Sequence, residues 1–416
     1  MASYIANDIR QDQHLHTDIR ATYRKLISSR YFTKGQLEWV TQDLLKRLSH
    51  QYKDQITALI FYYIEEVINL IPDKASYVEH ERRFLHFYQV CTDYLLNYLN
   101  QKPEHFTFMA ETTLTLLENQ NQLKKPWAPF LYELYVQVDQ TKRAFIYHLI
   151  SSSKQLDGPL HRKVGIVYSY ILLDQGDKEV ALDLLMTIKD LQEIEVSPHF
   201  QLLKKDKAYE TLANWFEKLW TGHHSPSYYG SLQALYDEVK IKLNHDPNQH
   251  QKIWERWLLA PHYQRLQSLL EHLSAEQKQQ AVETLLPELK KRLHKPDAAL
   301  TYTRILMDFG HYTDVATFFL TMEKDPLKIK QDKFELLQQL ALKQPELAKA
   351  IFHQYALRLI EKKSRVHYEQ AAQYIKQLKK LYMHTENTEE FLDYIEQLKK
   401  KYRTYRAFIE ELKTVE

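Results

Sequence analysis

The chain has 416 residues, of which 44% are hydrophobic and 26% charged, so it can bury a sizeable core and is not a disordered polymer. Its 56 basic and 54 acidic side chains leave a net charge of +2, so no bulk field draws it to nucleic acid or to an anionic membrane surface. A lone cysteine, Cys91, excludes internal disulfides and cysteine-cluster metal sites.

Only 7 glycines occur. Tight β-hairpins and phosphate-cradling loops both need glycine for positive φ, so this scarcity points to helices joined by short connections. No basic–apolar–small pattern marks a signal peptide, and no run of eighteen apolar residues marks a membrane span. The longest apolar stretch, Ile56 to Ile64, reads as a buried helix, and a cytoplasmic protein without membrane contact is expected.

From Asp18 to Tyr31, Ile19, Tyr23, Leu26 and Ile27 keep a 3.6-residue rhythm that predicts the first helix. Thr33-Lys-Gly-Gln36 reads as a capping box opening a helix through Trp39, Val40, Leu44, Leu45 and Leu48. Helical patterns follow over 54–71, 76–99, 105–120 and 127–150, punctuated by Pro72, Pro103, Pro126 and Pro129. Cys91 lies in the apolar run Phe87 to Leu96 and reads as a packed core thiol.

Tyr168 to Leu185 holds one helix ending at Gly176 and a second starting at Asp177, with Ala181 five residues past the glycine. The glycine frees the turn and the alanine lets the helices approach, which is a hairpin of tetratricopeptide type. A looser copy runs from Tyr302 to Ala316, where Ala316 follows Gly310 by six residues. Ser197-Pro198, Asp246-Pro247, Asp297 and Asp325-Pro326 are predicted helix starts, and Ser274-Ala-Glu-Gln277 is a second capping box. Thr221 to Gly230, with two glycines and a proline, is the strongest break and a candidate boundary or hinge. Roughly fifteen to seventeen helices are expected, giving an all-α fold: an α-solenoid of stacked helical hairpins, or two helical lobes. The expected segments are an N-terminal helical region over 1–150, a tetratricopeptide-like hairpin region over 151–225, a helical repeat region over 226–363 and a two-helix cap over 364–416.

Patterns that carry chemistry are few. His80-Glu81 opens like a zinc-protease helix, but Phe84 stands where the second histidine belongs. His14 and His16 would share a face in a strand and not in a helix, and His223-His224 lies in the proline-containing break. Arg143 and His148 have the arginine–four residues–histidine spacing that resembles small helical ribonucleases of the HEPN class, although Ala144 replaces the polar residue that often follows the arginine. Such ribonucleases act on phosphodiesters, usually as dimers, and a ribonuclease using Arg143 and His148 is one alternative reading. No phosphate loop, dinucleotide fingerprint or Gly-x-Ser-x-Gly elbow occurs, so no catalytic residue, cofactor or metal ligand is assigned. The 29 tyrosines, many at helical spacing, suit the margins of helix packing and also the surfaces of interfaces.

The closing helices carry an apolar stripe of Tyr368, Ala371, Ala372, Ile375, Leu378 and Tyr382, continued by Phe391, Ile395, Leu398 and Tyr402 and by Tyr405, Phe408 and Leu412. Their polar side holds Arg365, Lys376, Lys379, Lys380, Lys400, Arg403 and Arg406, the candidate binding residues, interleaved with Glu369, Glu389, Glu390, Glu396, Glu410 and Glu411. Interspersed charge of this kind also describes a solvated helix face.

On Tyr368-Glu-Gln-Ala-Ala372, the helix Tyr374 to Tyr382 and the ending Tyr405 to Leu412, this segment resembles the C-terminal end of bacterial SWIM zinc-finger proteins. The likeness covers 364–416, and the preceding helices fit the long α-helical region of that family more loosely. Those proteins carry a Cys-x-Cys…Cys-x-His finger ahead of this region, associated with DNA or protein binding. With Cys91 alone the finger is missing here, so the chain is either a piece lacking it, which Met1-Ala-Ser favours, or a relative without one. No metal ligand carries over. The expected function is a non-enzymatic helical-repeat module that binds protein or peptide partners, with no cofactor. A nucleic-acid-associated helical domain is the first alternative.

Overall fold

The structure, a computed structural model, describes residues 10–28, 32–118, 125–152, 160–220, 229–243 and 247–415. Among these residues it is all-helical, with 22 α-helices and no strand. The chain divides into two units, Met1–Gln233 and Ala234–Glu416.

The first unit begins with α1 (Gln13–Leu26), α2 (Lys34–Gln51), α3 (Ile56–Asn69), α4 (Lys74–Gln101) and α5 (Phe106–Leu117). It continues with α6 (Trp127–Gln137), α7 (Gln140–Ser151), α8 (Arg162–Asp174), α9 (Lys178–Met186), α10 (Glu193–Lys205) and α11 (Tyr209–Trp220). The second unit opens at α12 (Gln233–Leu243), followed by α13 (Pro247–Leu259), α14 (Tyr263–Leu270), α15 (Ala275–Lys290), α16 (Pro296–Asp308) and α17 (Tyr312–Thr321). Then come α18 (Gln331–Lys343), α19 (Pro345–Ile360), α20 (Arg365–His384), α21 (Thr388–Lys401) and α22 (Arg406–Leu412). In both units a helix packs on its sequence neighbour and on the helix two further along, as α8 does on α9 and α10 and α16 does on α17 and α18. That alternation is what stacked helical hairpins produce.

Caps written in the sequence set several helix starts. The Thr33 hydroxyl accepts from the Gln36 amide while the Gln36 side chain accepts from the Thr33 amide, and Ser274 and Gln277 repeat this reciprocal pair. Elsewhere the starts differ from expectation. The first helix begins at Gln13, because Asp12 caps it, and 29–31 lie outside the described residues. The expected helix over 127–150 is two helices, since Val138 is extended and Asp139 caps α7 by accepting from Lys142 at 3.1 Å. Pro198 lies inside α10 instead of at its start, while Pro296, one residue before Asp297, opens α16. Asp325 caps a 3-10 turn, Pro326–Lys328, and Asp246 lies outside the described residues.

Four hairpins close in one manner. After α8, Gly176 takes φ +102°, and the Asp177 amide donates back to the Leu172 carbonyl at 2.9 Å. Gly310 (φ +75°) does the same after α16, with His311 donating to Leu306 at 2.8 Å. Lys207 (φ 55°) and Glu386 (φ 58°) repeat it after α10 and α20, through Ala208 to Leu203 and Asn387 to Tyr382, both 2.9 Å. This six-to-one bond across a left-handed residue satisfies carbonyls that the helix end would otherwise leave open.

Each unit has its own core. In the first, Phe61 stacks on Trp127 at 4.8 Å and meets Phe130 edge-on, and Cys91 is buried, which raises its thiol well above the usual range. Phe84, where a zinc-protease helix would carry histidine, is fully buried in this core. Glu65, also buried, accepts from the Trp127 indole at 2.6 Å and pairs with Lys125 at 2.7 Å. The second core gathers Trp257, Phe319, Phe352, Tyr355, Tyr374 and Phe408. Tyrosine hydroxyls pin its margins: Tyr355 donates to the Phe319 carbonyl at 2.9 Å and Tyr374 to the Pro326 carbonyl at 3.0 Å.

The hairpin closure can be tested directly. A Cβ at Gly176 or Gly310 meets nothing within 4 Å, so any penalty comes from backbone conformation alone. Gly176→Ala and Gly310→Ala should each lower stability by roughly 1–2 kcal/mol in urea unfolding. Gly35→Ala, which also meets nothing within 4 Å but lies in α2 at negative φ, should be neutral or stabilising.

Candidate functional site

A cavity of about 610 Å³ forms a groove between α13 and α15 of the second unit. α13 contributes His250, Gln251, Trp254, Glu255, Leu258 and Leu259, spaced so that one helical face points inward. α15 contributes Gln277, Gln280, Ala281, Thr284, Leu285 and Glu288 on the same principle, and Arg292 follows its end. Trp254, Leu258 and Leu273 (7% exposed each) and Ala281 (8%) make an apolar floor that a partner can reach. Leu259 stands 75% exposed at the lip.

The rim is polar and nearly neutral. Gln251 donates to Glu255 at 2.9 Å. Arg292 donates to the Glu288 carbonyl at 2.6 Å, and Lys291 reaches the Glu288 carboxylate at 2.5 Å. Hydrogen bonds from these two cations hold the Glu288 carboxyl below its ordinary pKa. Glu255 has an amide for a neighbour instead of a cation, so the rim keeps one carboxylate to offer. The α13 wall is braced from within. Buried Asp237 of α12 accepts from Arg256 of α13 at 2.5 Å and from Arg265 of α14 at 2.7 Å. Glu238 accepts from Ser268 at 3.2 Å and bonds the His272 ring at 3.1 Å.

A smaller cavity, about 300 Å³, lies in the first unit where α6, α8 and α10 meet. Pro129, Ile166, Val167 and Pro198 wall it, and Tyr132, Tyr170, Lys163, Glu195 and His199 bring polar groups to it. His199 is 1% exposed, and its ring meets Tyr170 edge-on at 5.4 Å. The Ile166 and Val196 carbonyls lie near enough to favour a proton slightly, yet neither ring nitrogen makes a hydrogen bond of good geometry. Burial dominates and drops the imidazole to about 3, so the ring is neutral.

Arg143 is occupied structurally. Its guanidinium donates to the carbonyls of Tyr135 (3.1 Å), Val136 (2.7 Å) and Val138 (3.1 Å) at the end of α6, and it pairs with Asp174 of α8 at 3.5 Å. His148 is exposed, its ring against Tyr147 at 5.5 Å. Of the C-terminal cations, Lys379 donates to the Val415 carbonyl at 2.8 Å, which fastens the chain end to α20, and Arg365 pairs with Glu369 at 3.4 Å. Lys376 is half-buried, while Lys380, Lys400, Arg403 and Arg406 are exposed. None of these residues lines either cavity described above.

His14 and His16 sit on α1, where His16 bonds the Arg10 carbonyl at 2.6 Å; His223-His224 lies outside the described residues. Among the described residues no group of three histidine, cysteine or acidic side chains is placed to hold a metal ion, and no helix is long and apolar enough to cross a membrane. Sequence reasoning missed both cavities. The i, i+3, i+4 run of Gln277, Gln280, Ala281 and Thr284 was the available signal for the groove. Comparison with protein-family models, curated proteins and solved structures finds no match to this chain.

Two outcomes follow from these placements. Arg143→Ala should destabilise the chain by about 1–3 kcal/mol, because it strips the end of α6 of its donors, whereas His148→Ala should change stability by less than about 0.5 kcal/mol. If neither variant alters RNA cleavage by the purified protein, the pair has no ribonuclease role. For His199, the unfolded imidazole takes up a proton near 6.5, while the folded one refuses it until about 3. The associated stability is complete above pH 6.5 and is lost as pH falls below it. Between pH 7 and pH 5 the wild type should lose about 2 kcal/mol more than His199→Phe, as read by denaturant unfolding at each pH.

Proposed function

We propose that the chain is a non-enzymatic helical-repeat interaction module that holds an amphipathic helix of a partner protein in the groove between α13 and α15. The observation that carries this reading is the pairing of two helical faces around one apolar floor, Trp254, Leu258, Leu273 and Ala281, under a rim of glutamines and a threonine. An apolar stripe at i, i+3 or i+4, and i+7 fits such a trough, and the polar rim bonds the flanks of the inserted helix. Glu255 selects a basic residue beside that stripe, since it is the rim carboxylate balanced only by an amide. The tetratricopeptide-like hairpins at Gly176 and Gly310 and the resemblance of 364–416 to the helical end of SWIM zinc-finger proteins favour the same class, a helical scaffold that presents surfaces to other proteins.

The test is selection of helical peptides from a displayed random library on the immobilised full chain. Enriched peptides should carry the apolar stripe with a lysine or arginine next to it. Thr284→Arg, which places a cation on the groove wall at an exposed position, should weaken them roughly tenfold or more while leaving stability within about 0.5 kcal/mol of wild type. Peptides that lack the stripe, or that bind Thr284→Arg as well as wild type, would overturn the reading.

A further inference from the structure

We propose that the cavity between α6, α8 and α10 is a binding site for a small apolar monocarboxylate, with Lys163 as its counter-ion and His199 at its floor. The size fits, since about 300 Å³ is the lower end of the range for small-ligand pockets. The walls fit an apolar body: Pro129 of α6, Ile166 and Val167 of α8 and Pro198 of α10 offer no polar side-chain atom.

The charges select the sign of the ligand. Two ionic residues line the cavity, Lys163 and Glu195. Glu195 is already committed: Arg162 donates to both of its oxygens, one at 2.8 Å, and its carboxylate also accepts from the Gln192 amide at 2.9 Å. Lys163 makes no ion pair among the described residues, so the cavity holds one uncompensated positive charge. Tyr132 and Tyr170 lie with their rings 5.0 Å apart and interact through their hydroxyls, and burial raises both phenols, Tyr170 to about 12, so both keep their protons and the pair retains a donor for a ligand. One cation and neutral donors suit a single negative charge, whereas a phosphate dianion calls for more cations.

His199 supplies the independent observation. Buried polar atoms almost always find partners, and an exception asks for a reason. This ring is buried to 1% exposure, lines the cavity and has the Ile166 and Val196 carbonyls nearby, yet neither nitrogen makes a hydrogen bond of good geometry. A neutral imidazole carries one donor and one acceptor, so its N–H can serve a carboxylate oxygen directly. The other groups facing the ring are Tyr170 and Trp215, neither of which is charged.

Benzoate is the probe, with benzamide as its neutral counterpart of the same shape. Titration of the full chain, followed by saturation-transfer NMR and by the ¹⁵N signals of the His199 ring, should show benzoate binding roughly tenfold more tightly than benzamide, with the ring signals shifting only on benzoate. Lys163→Gln, a half-buried position that need not disturb the core, should abolish that preference, and Thr284→Arg should leave it intact. The proposal fails if benzoate shows no saturation transfer at millimolar concentration, if benzamide binds equally well, if Lys163→Gln keeps the preference, or if inorganic phosphate displaces benzoate at equal concentration.

Discussion

The left-handed residue at the end of a helix is the constraint on which this architecture depends. At Gly176, Lys207, Gly310 and Glu386 one residue of positive φ turns the chain back, and a bond to the carbonyl five residues earlier locks the turn. Two residues later the next helix begins, so the direction of its first turn follows from the closure of the previous one. The turn at Gly176 places α8 and α10 in contact, and that contact forms part of the face on which the cavity of the first unit lies. The penalty of a non-glycine residue at positive φ, roughly 1–2 kcal/mol, is accepted at Lys207 and Glu386 because the bond and the helix contacts beyond it outweigh it.

Polar groups inside the units divide into two kinds. Glu65 with Lys125 and Trp127, and Asp237 with Arg256 and Arg265, are buried charges whose oxygens are matched by donors from other segments. Such clusters add little net stability, but removing one partner strands the others, so they fix one arrangement of helices over its competitors. Arg143 belongs with them, as it ties the end of α6 to α8 through carbonyls and Asp174. His199 is the other kind. Its environment demands a neutral ring and leaves both nitrogens without a hydrogen bond of good geometry beside a cavity that could receive one.

How much of this was legible depended on whether the signal was local. The capping boxes at Thr33 and Ser274 and the hairpins at Gly176 and Gly310 were readable, because a few adjacent residues set each of them. The matching turns at Lys207 and Glu386 were not, since tertiary contacts hold ordinary side chains where glycine would announce itself. The break at Val138 was hidden because apolar spacing continues through it from Trp127 to Ile150, while Asp139 and Arg143 enforce it. Reading Ser197-Pro198 as a helix start placed His199 in a first turn, when it belongs on the inner face of α10 beside Tyr170. The basic C-terminal face was visible as composition, but Lys379 holding the Val415 carbonyl depends on the fold.

The groove in the second unit has a geometric origin that sequence spacing alone could not supply. α15 has sixteen residues, about 24 Å of helix, and α14 before it has eight, about 12 Å. The short α14 packs on α16, and Leu273 in the connection between α14 and α15 lines the groove floor. α13 meets α15 directly and supplies the opposite wall, with Asp237 and its two arginines holding that wall in place. The remaining width is open toward Leu259, an exposed leucine that lines the groove. An inserted helix would pack on the apolar floor of Trp254, Leu258, Leu273 and Ala281, between walls that Asp237 and its arginines help to hold.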